Sequence, residues 1–443
     1  MNMQATEGHR ADRPRIVIVG GGAGGLELVT RLGKTLGKRR QADITLIDCS
    51  RTHVWKPLLH EVAAGTLDSH DDELEYLAQA HMSHFRFVLG RMEGLDRQHK
   101  RVRLAALRNE QGEEIMPART FPYDILVIAV GSICNDFGIS GVVEHCLFLD
   151  TTEQAEQFQN RLLEAYLRAH VQGAQASGQL DVAIVGGGAT GIELSAQLHQ
   201  ASRLLNIYGL DNVQPTDMKI HLIEAADRLL PELPERLSKA SLEQLNALGI
   251  QTHLGERVVA VTPDSIRTQT GLSVPAAIKV WAAGIKAPDF LRELDGLESN
   301  RINQLVVRQT LQTSRDEDIF VIGDCAACPW PEKNRAVPPR AQSAHQMASR
   351  VLDNVRRKLQ GNSLRNYRYV DYGSLVALGK YSTVGNLMGN LMGSVMIEGA
   401  IARLVYLSLY KMHQFALFGP FRVGLLIIAN FFRSRLQPKI KLH

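Results

Sequence analysis

Gly20-Gly-Gly-Ala-Gly-Gly-Leu-Glu-Leu28 is the stretch on which the fold turns, because Gly186-Gly-Gly-Ala-Thr-Gly-Ile-Glu-Leu194 repeats it at seven of nine positions, 166 residues later. An apolar, largely β-branched run precedes each copy: Ile16 to Val19 and Val182 to Val185. A helical pattern follows, about Leu26 to Leu36 in the first copy, and then a second strand-like run, Ile44-Thr-Leu-Ile-Asp48 or Lys219-Ile-His-Leu-Ile-Glu224. Strand, loop, helix and strand make a βαβ unit, whose crossover demands a parallel sheet. The repeat therefore predicts an α/β chain with two doubly wound, Rossmann-like nucleotide-binding domains.

The spacing of the glycines has a mechanical reason. In Gly20-x-Gly22-x-x-Gly25 the first glycine makes the tight turn, the second lets backbone approach a pyrophosphate, and the third packs helix on strand. Gly186, Gly188 and Gly191 repeat the arrangement. The anion sits on free N–H groups at a helix N-terminus. Asp48 and Glu224 close the second strands, where an acid can accept a ribose hydroxyl. A carboxylate at Glu224 also repels a 2′-phosphate, which favours NADH over NADPH in the second domain. Arg228, four residues on, is the nearest base.

Around these loops, composition sets the limits. The 443 residues are 45% hydrophobic and 22% charged, as in a globular chain of two or three domains. The net charge of +4 is unevenly spread. From Gly399 to His443 stand seven Lys/Arg and no acid, which leaves 43 basic and 46 acidic side chains before them. Apolar residues from Ile401 to Ala416 fall on one helical stripe among Tyr406, Tyr410 and Phe418, and Gly419-Pro420 ends it. Val423 to Phe432 is too short to span a bilayer. Residues 399–443 thus predict a basic, amphipathic segment lying on an anionic lipid surface. The polar N-terminus and five irregularly spaced cysteines indicate neither a secretory leader nor a disulfide framework, hence a cytoplasmic setting. Nothing points to a nucleic-acid partner.

Five further blocks, together with the basic tail, carry a resemblance. Tyr123-Asp-Ile-Leu-Val-Ile-Ala-Val-Gly131 and Asp318-Ile-Phe-Val-Ile-Gly-Asp324 resemble the later fingerprints of the two-dinucleotide flavoprotein superfamily. The resemblance implies non-covalent FAD on the first loop, with Ala129, Gly131 and Gly323 at the cofactor and Asp324 bonding its ribityl chain. It likewise implies that Val280-Trp-Ala-Ala-Gly284 lets the nicotinamide of NADH lie against the flavin, with Ala283 and Gly284 kept small. Ala341-Gln342-x-Ala-x-Gln346, Trp55-Lys-Pro-Leu-Leu-His60 and the basic tail are similar to the type II NADH dehydrogenases, the single-subunit, non-pumping NADH:quinone oxidoreductases of bacterial respiratory chains. Members more often carry Phe/Gln-Pro-Leu-Leu-Tyr in the Trp55 block, and this chain departs from that at Lys56 and His60. The resemblance implies a membrane quinone beside Gln342 and Gln346, a proton-relay role for Glu193, and peripheral attachment to the cytoplasmic face of the inner membrane.

The expected organisation is a leader over 1–13, the FAD domain over 14–172 and 300–365, the NADH domain over 173–299, and the membrane segment over 366–443. Thr151 to Val171, with Phe158, Leu162, Leu163, Tyr166 and Leu167 at helical spacing, predicts a connecting helix. Gly173 to Gly178 reads as a linker. Glu27 occupies in the first copy the place of Glu193 in the second, so a shared structural role at the helix N-terminal turn competes with the relay. Cys325-Ala-Ala-Cys328 admits a rival activity, a flavin-dependent disulfide or sulfide oxidoreductase, but metal binding would need two more ligands. A homodimer stays open.

Overall fold

The computed structural model describes residues 13–68, 73–109, 111–172, 180–208, 210, 212–378, 382–389, 393–398, 411 and 413–436. The leader (apart from Arg13), the Gly173 to Gly178 linker and most of the stripe from Gly399 to Met412 lie outside these residues. The chain forms two compact units. The first comprises Met1–His53, Glu73–Ile133 and Lys286–Val370, and the second Val54–Asp72, Cys134–Ile285 and Asp371–His443.

In the first unit a parallel sheet runs in the order Ile319–Val321, Ile125–Ile128, Arg15–Val19, Asp43–Asp48, Arg86–Leu89. The central strand pairs Ile16 with Ile125 on one side and Ile44 on the other. Ile16 to Val19 are buried on both faces, which is why the run is continuously apolar instead of alternating. Helix Ala23–Leu32 packs against helix Ala341–Leu359. The approach is close because Gly24 and Ala344 are small: a side-chain carbon on Gly24 would sit 3.0 Å from the Ala344 carbonyl oxygen. The long third piece of this unit confirms that the first nucleotide domain is discontinuous in sequence.

The second unit repeats the architecture. Its parallel sheet runs Leu147–Phe148, Ile278–Trp281, Val182–Val185, Ile220–Glu224, Gln251–Leu254. Each unit also carries a three-stranded antiparallel sheet, Met92–Asp96 with Arg101–Leu104 and Arg119–Pro122 in the first, and Val258–Val261 with Ser265–Thr268 and Ser273–Pro275 in the second. The internal repeat therefore extends well beyond nine residues, although these small sheets have no sequence likeness to announce them.

The unit boundaries differ from the divisions expected from sequence. Residues 134–172 and 371–443 belong with the second unit, as does the segment around Trp55–His60. Packing is the reason. Helix Leu59–Ala63 lies on helices Thr152–Gln172 and Ala189–Ile207, and the latter also meets strand Gly373–Leu378. Along Thr152–Gln172, Phe158, Leu162 and Tyr166 are buried as expected, each contributing ~2 kcal/mol of apolar burial, whereas Leu167 points outward and is 48% exposed. Ser382–Gly389 pairs antiparallel with Gly373–Leu378 and with a third strand, Gly393–Glu398, that the Gly/Met-rich sequence conceals. Residues 413–418 are helical, and helix Pro420–Leu436 follows.

Candidate active site

The two glycine loops are built alike at their three spaced glycines. Gly20 and Gly186 have φ of +101° and +117°, a region that L side chains rarely enter. A side-chain carbon there would strike the carbonyl of Ala129 or of Ala282 on the neighbouring strand's extension. Gly25 and Gly191 press the helix onto the carbonyl oxygens of Gly20 and Gly186. By contrast, Gly22 and Gly188, the N-caps of helices Ala23–Leu32 and Ala189–Ile207, have nothing within 4 Å of where a side chain would go. Turn, tight packing and open approach thus fall to different glycines, and the open one stands where a pyrophosphate would meet the helix N-terminus.

An acid pins each loop. Asp48 accepts hydrogen bonds from Gly21 N–H (2.5 Å) and Ser50 N–H (2.7 Å). Glu224 accepts from Gly187 N–H (2.5 Å) and Ala226 N–H (2.8 Å). Burial pushes the Asp48 carboxyl up, and the N–H groups of Gly21 and Ser50 pull it back. Each oxygen retains a lone pair for a ribose hydroxyl. The loop carbonyls are held too: Tyr76 Oη donates to Gly21 O (2.8 Å) and Leu230 N–H to Gly187 O (2.9 Å). Arg228 donates to the carbonyls of Leu233 (3.1 Å) and Pro231 (2.6 Å), so its guanidinium is engaged with backbone and not poised for a 2′-phosphate.

At the carboxyl ends of the neighbouring strands of the first unit, Ala129 is buried and Gly131 turns at φ +71°. Gly323 turns at φ +75° and donates its N–H to Met347 Sδ (3.3 Å). Asp324 is half-buried, accepting from Ser132 Oγ at 2.8 Å, while its carbonyl accepts from Gln304 Nε2 at 2.8 Å. An acceptor-bearing, oriented carboxylate there fits a polyhydroxyl chain. In the second unit, Ala283 is half-buried and Gly284 has φ +64°.

Gln342 and Gln346 sit one turn apart at the start of helix Ala341–Leu359, on its half-exposed side with His345 and Ser349. The Gln346 amide is already used at both ends: Nε2 donates to Val370 O (2.8 Å) and Oε1 accepts from Val370 N–H (3.0 Å). It fastens the end of the first unit to this helix.

Glu27 and Glu193 are both buried, at 1% and 6% exposure, and neither loop helix carries an acid in its first turn. The helix macrodipole therefore does not explain them. Glu27 accepts from Arg31 (2.8 Å) and touches His345 Nδ1. Glu193 Oε2 lies 3.6 Å from Nδ1 of His60, whose imidazole burial pulls down to about 4, so the ring is neutral. The departure at His60 is thus matched to Glu193. Lys56, the other departure, pairs with Asp150 (3.0 Å), and Trp55 meets His413 in a tilted ring contact with centroids 4.3 Å apart. Sequence reasoning noted His60 only as a deviation; its spatial partner has no linear signal.

Cys325 and Cys328 are fully buried, unpaired, and pushed up to about 12 by burial. Thiol exchange needs an accessible thiolate. The pair has neither property, which removes the support for the disulfide reading.

Two parallel sheets with the same order in four of their five strands, each with a dinucleotide loop and an acid beside it, define a two-dinucleotide oxidoreductase. The pattern of the pyridine nucleotide-disulphide oxidoreductase family matches residues 14–348. The chain is 42% identical to a type II NADH:quinone oxidoreductase of Haemophilus influenzae over 97% of its own length and 99% of the relative's. It is 29% identical to the enzyme of that name from Staphylococcus aureus, covering 84% and 90%. The fold resembles NDH2 from Plasmodium falciparum in complex with NADH (TM-score 0.76, 19% identity, 92% and 97% covered) and, less closely, the sulfide:quinone oxidoreductase of Aquifex aeolicus (TM-score 0.69, 18% identity, 91% and 91%). The chain belongs to the pyridine nucleotide-disulphide oxidoreductase family and, within it, to the type II NADH:quinone oxidoreductases.

Proposed function

We propose that this protein oxidises NADH through non-covalent FAD and reduces a membrane quinone, without ion pumping. The observation that carries the reading is the pair of open N-cap glycines, Gly22 and Gly188, in two parallel sheets that share the order of four of their five strands. FAD, when bound, relays electrons between the nicotinamide and the quinone. The chain's own work is binding and orientation. Gly20, Gly22 and Gly25 with Asp48 hold the FAD pyrophosphate and ribose, Ala129, Gly131 and Gly323 leave room for its remaining half, and Asp324 takes the ribityl hydroxyls. Gly186, Gly188, Gly191 and Glu224 hold NADH, with Ala283 and Gly284 beside its nicotinamide. The Gln342 side chain and the helix behind it orient the quinone; Gln346 contributes by fixing Val370. Glu193, with the neutral His60 ring beside it, moves a proton during quinone reduction.

The membrane lies against the tail. Helix Pro420–Leu436 exposes Phe421 (79%), Leu425 (53%), Ile428 (57%) and Phe432 (62%), and no described helix is long and apolar enough to cross a bilayer. Exposed aromatics and aliphatics on a segment without acids suit the headgroup boundary of anionic lipid on the cytoplasmic side. A homodimer through the same face is the competing occupant.

Anaerobic addition of NADH to the FAD-loaded protein should bleach the flavin absorbance, and a quinone should restore it. No bleaching, or bleaching without recovery, refutes the activity. A chain ended after Ile397 should keep NADH:ferricyanide turnover but leave anionic vesicles; retained vesicle binding refutes the lipid surface, and a change of oligomeric state with no loss of vesicle binding favours the dimer.

A further inference from the structure

The second sheet dictates how a dinucleotide lies on it. Ligands of doubly wound sheets bind outside the strand carboxyl ends, at the point where strand order reverses. That point falls between Val182–Val185 and Ile278–Trp281. Glu224 takes the adenosine ribose on one side and Gly188 the pyrophosphate at the centre. The nicotinamide half must then run the other way, past Trp281 toward Gly284.

Phe137 waits there. Its side chain is on the surface (58% exposed), yet its backbone is left-handed at φ +53°, a conformation that costs a non-glycine residue roughly 1 kcal/mol or more. The loop holds it in place: Phe137 N–H donates to Asn135 Oδ1 (3.0 Å), Asn135 O accepts from Trp281 Nε1 (2.8 Å), and Asn135 N–H reaches Gly284 O (3.4 Å). The ring lies directly on Gly284, where any side chain would run into it. A bulky aromatic, strained and unburied, is thus fixed with the tip of its ring against the one backbone turn that the nicotinamide half must pass.

We propose that Phe137 is the nicotinamide platform: the tip of the ring rests on Gly284 and an exposed face of the ring stacks on the nicotinamide of NADH. The proposal rests on the NADH reading of the second loop. It explains why Gly284 must be small for a reason of its own, since a side chain there would lift the ring, and why the strain at Phe137 is tolerated. Aromatic stacking of this kind is specific for the nicotinamide end and indifferent to the rest of the ligand.

The test uses the FAD-loaded full-length protein and compares binding of NAD⁺ with binding of ADP-ribose, which keeps every part of the ligand except the nicotinamide. Phe137→Ala should weaken NAD⁺ about three- to tenfold, the worth of one stacking contact, and leave ADP-ribose and the quinone KM within about twofold. Phe137→Tyr should restore NAD⁺ binding. Phe137→Gly relieves the left-handed strain, so it should melt no lower than the parent and still lose NAD⁺ affinity. Unchanged NAD⁺ binding in both the Ala and Gly variants overturns the proposal, and so does an equal loss of NAD⁺ and ADP-ribose. Gly188→Val separates the underlying reading: it should abolish both ligands, and if ADP-ribose still binds, the NADH site lies elsewhere and the platform falls with it.

Discussion

Replacing Glu224 with Gln tests the nucleotide preference most directly. The carboxylate closes strand Ile220–Glu224 and accepts two backbone N–H bonds, from Gly187 at 2.5 Å and Ala226 at 2.8 Å. A glutamine keeps the shape but offers one acceptor oxygen. One of the two N–H groups then faces an amide donor, at a cost of about 1–3 kcal/mol in loop stability. For NADH this should appear as a several-fold rise in KM, since the loop that holds the pyrophosphate loosens. For NADPH the sign reverses. A 2′-phosphate about 4 Å from the carboxylate meets a repulsion of up to ~4 kcal/mol per unit charge at an effective dielectric near 20, less where water screens it. Removing the charge should therefore raise kcat/KM for NADPH by roughly 10- to 100-fold while that for NADH falls. The assay is steady-state turnover of both nucleotides with one soluble quinone. A NADPH/NADH ratio that moves less than about threefold, well under 1 kcal/mol, would refute the placement of Glu224 at the ribose. Arg228 offers no confounding rescue, because both of its described bonds go to the backbone of its own turn.

Stability should fall in mild acid for a definable reason. His53 and His60 are buried and their imidazoles are lowered to about 4 from 6.5, so the unfolded chain takes up protons there before the folded one does. The contribution is intact above pH 6.5, is lost as pH falls toward 4, and amounts to roughly 3 kcal/mol for each ring at the end of that window. Melting temperatures between pH 8 and 5 should drop, and His60→Phe should flatten part of the fall; a curve no flatter than the parent's counts against it. Cys325→Ala with Cys328→Ala should cost ~1–2 kcal/mol of packing and leave NADH:quinone turnover within about twofold, whereas abolished turnover would revive the disulfide activity. Glu27→Gln should destabilise by about 1–3 kcal/mol because it unpairs Arg31 and His345, while Glu193→Gln should destabilise less and instead change the pH profile of quinone reduction. The reverse ordering of melting temperatures, or an unmoved profile in Glu193→Gln, defeats that assignment.

What could be read from the sequence was whatever the backbone enforces locally. A dinucleotide loop has to place glycine at three set positions, so Gly20, Gly22 and Gly25 and their repeats were legible, and the structure gives each the turn, open or close-packed environment that its spacing required. The run Asp318 to Asp324, through its resemblance to a flavoprotein fingerprint, pointed to a first domain completed after the second, and strand Ile319–Val321 joins the first sheet. Long-range packing leaves no such mark. The association of residues 54–72 with the second unit depends on helix Leu59–Ala63 meeting Thr152–Gln172, a contact between segments some hundred residues apart. The strained Phe137 is equally silent, since nothing in Asn135-Asp-Phe-Gly138 shows that a ring will rest on Gly284.

The two glutamates show where the repeat stops being informative. Their identical place in the loops argued for one shared role, and burial at both sites is consistent with that. One turn further along the two copies part: Arg31 follows Glu27, and Gln197 follows Glu193. The Arg31 guanidinium pairs with the Glu27 carboxylate at 2.8 Å, so the first glutamate is committed to a structural ion pair. Glu193 instead neighbours a histidine that burial keeps neutral, and the neutral Gln197 accepts from Thr66 Oγ1 at 3.3 Å. With a Gln where the first copy has an Arg, the second glutamate meets no guanidinium one turn on, and that difference in surroundings is what supports the proposed proton role. The likeness of the loops fixed the scaffold common to both nucleotides; the chemistry that distinguishes the second copy comes from the neighbours that were not duplicated.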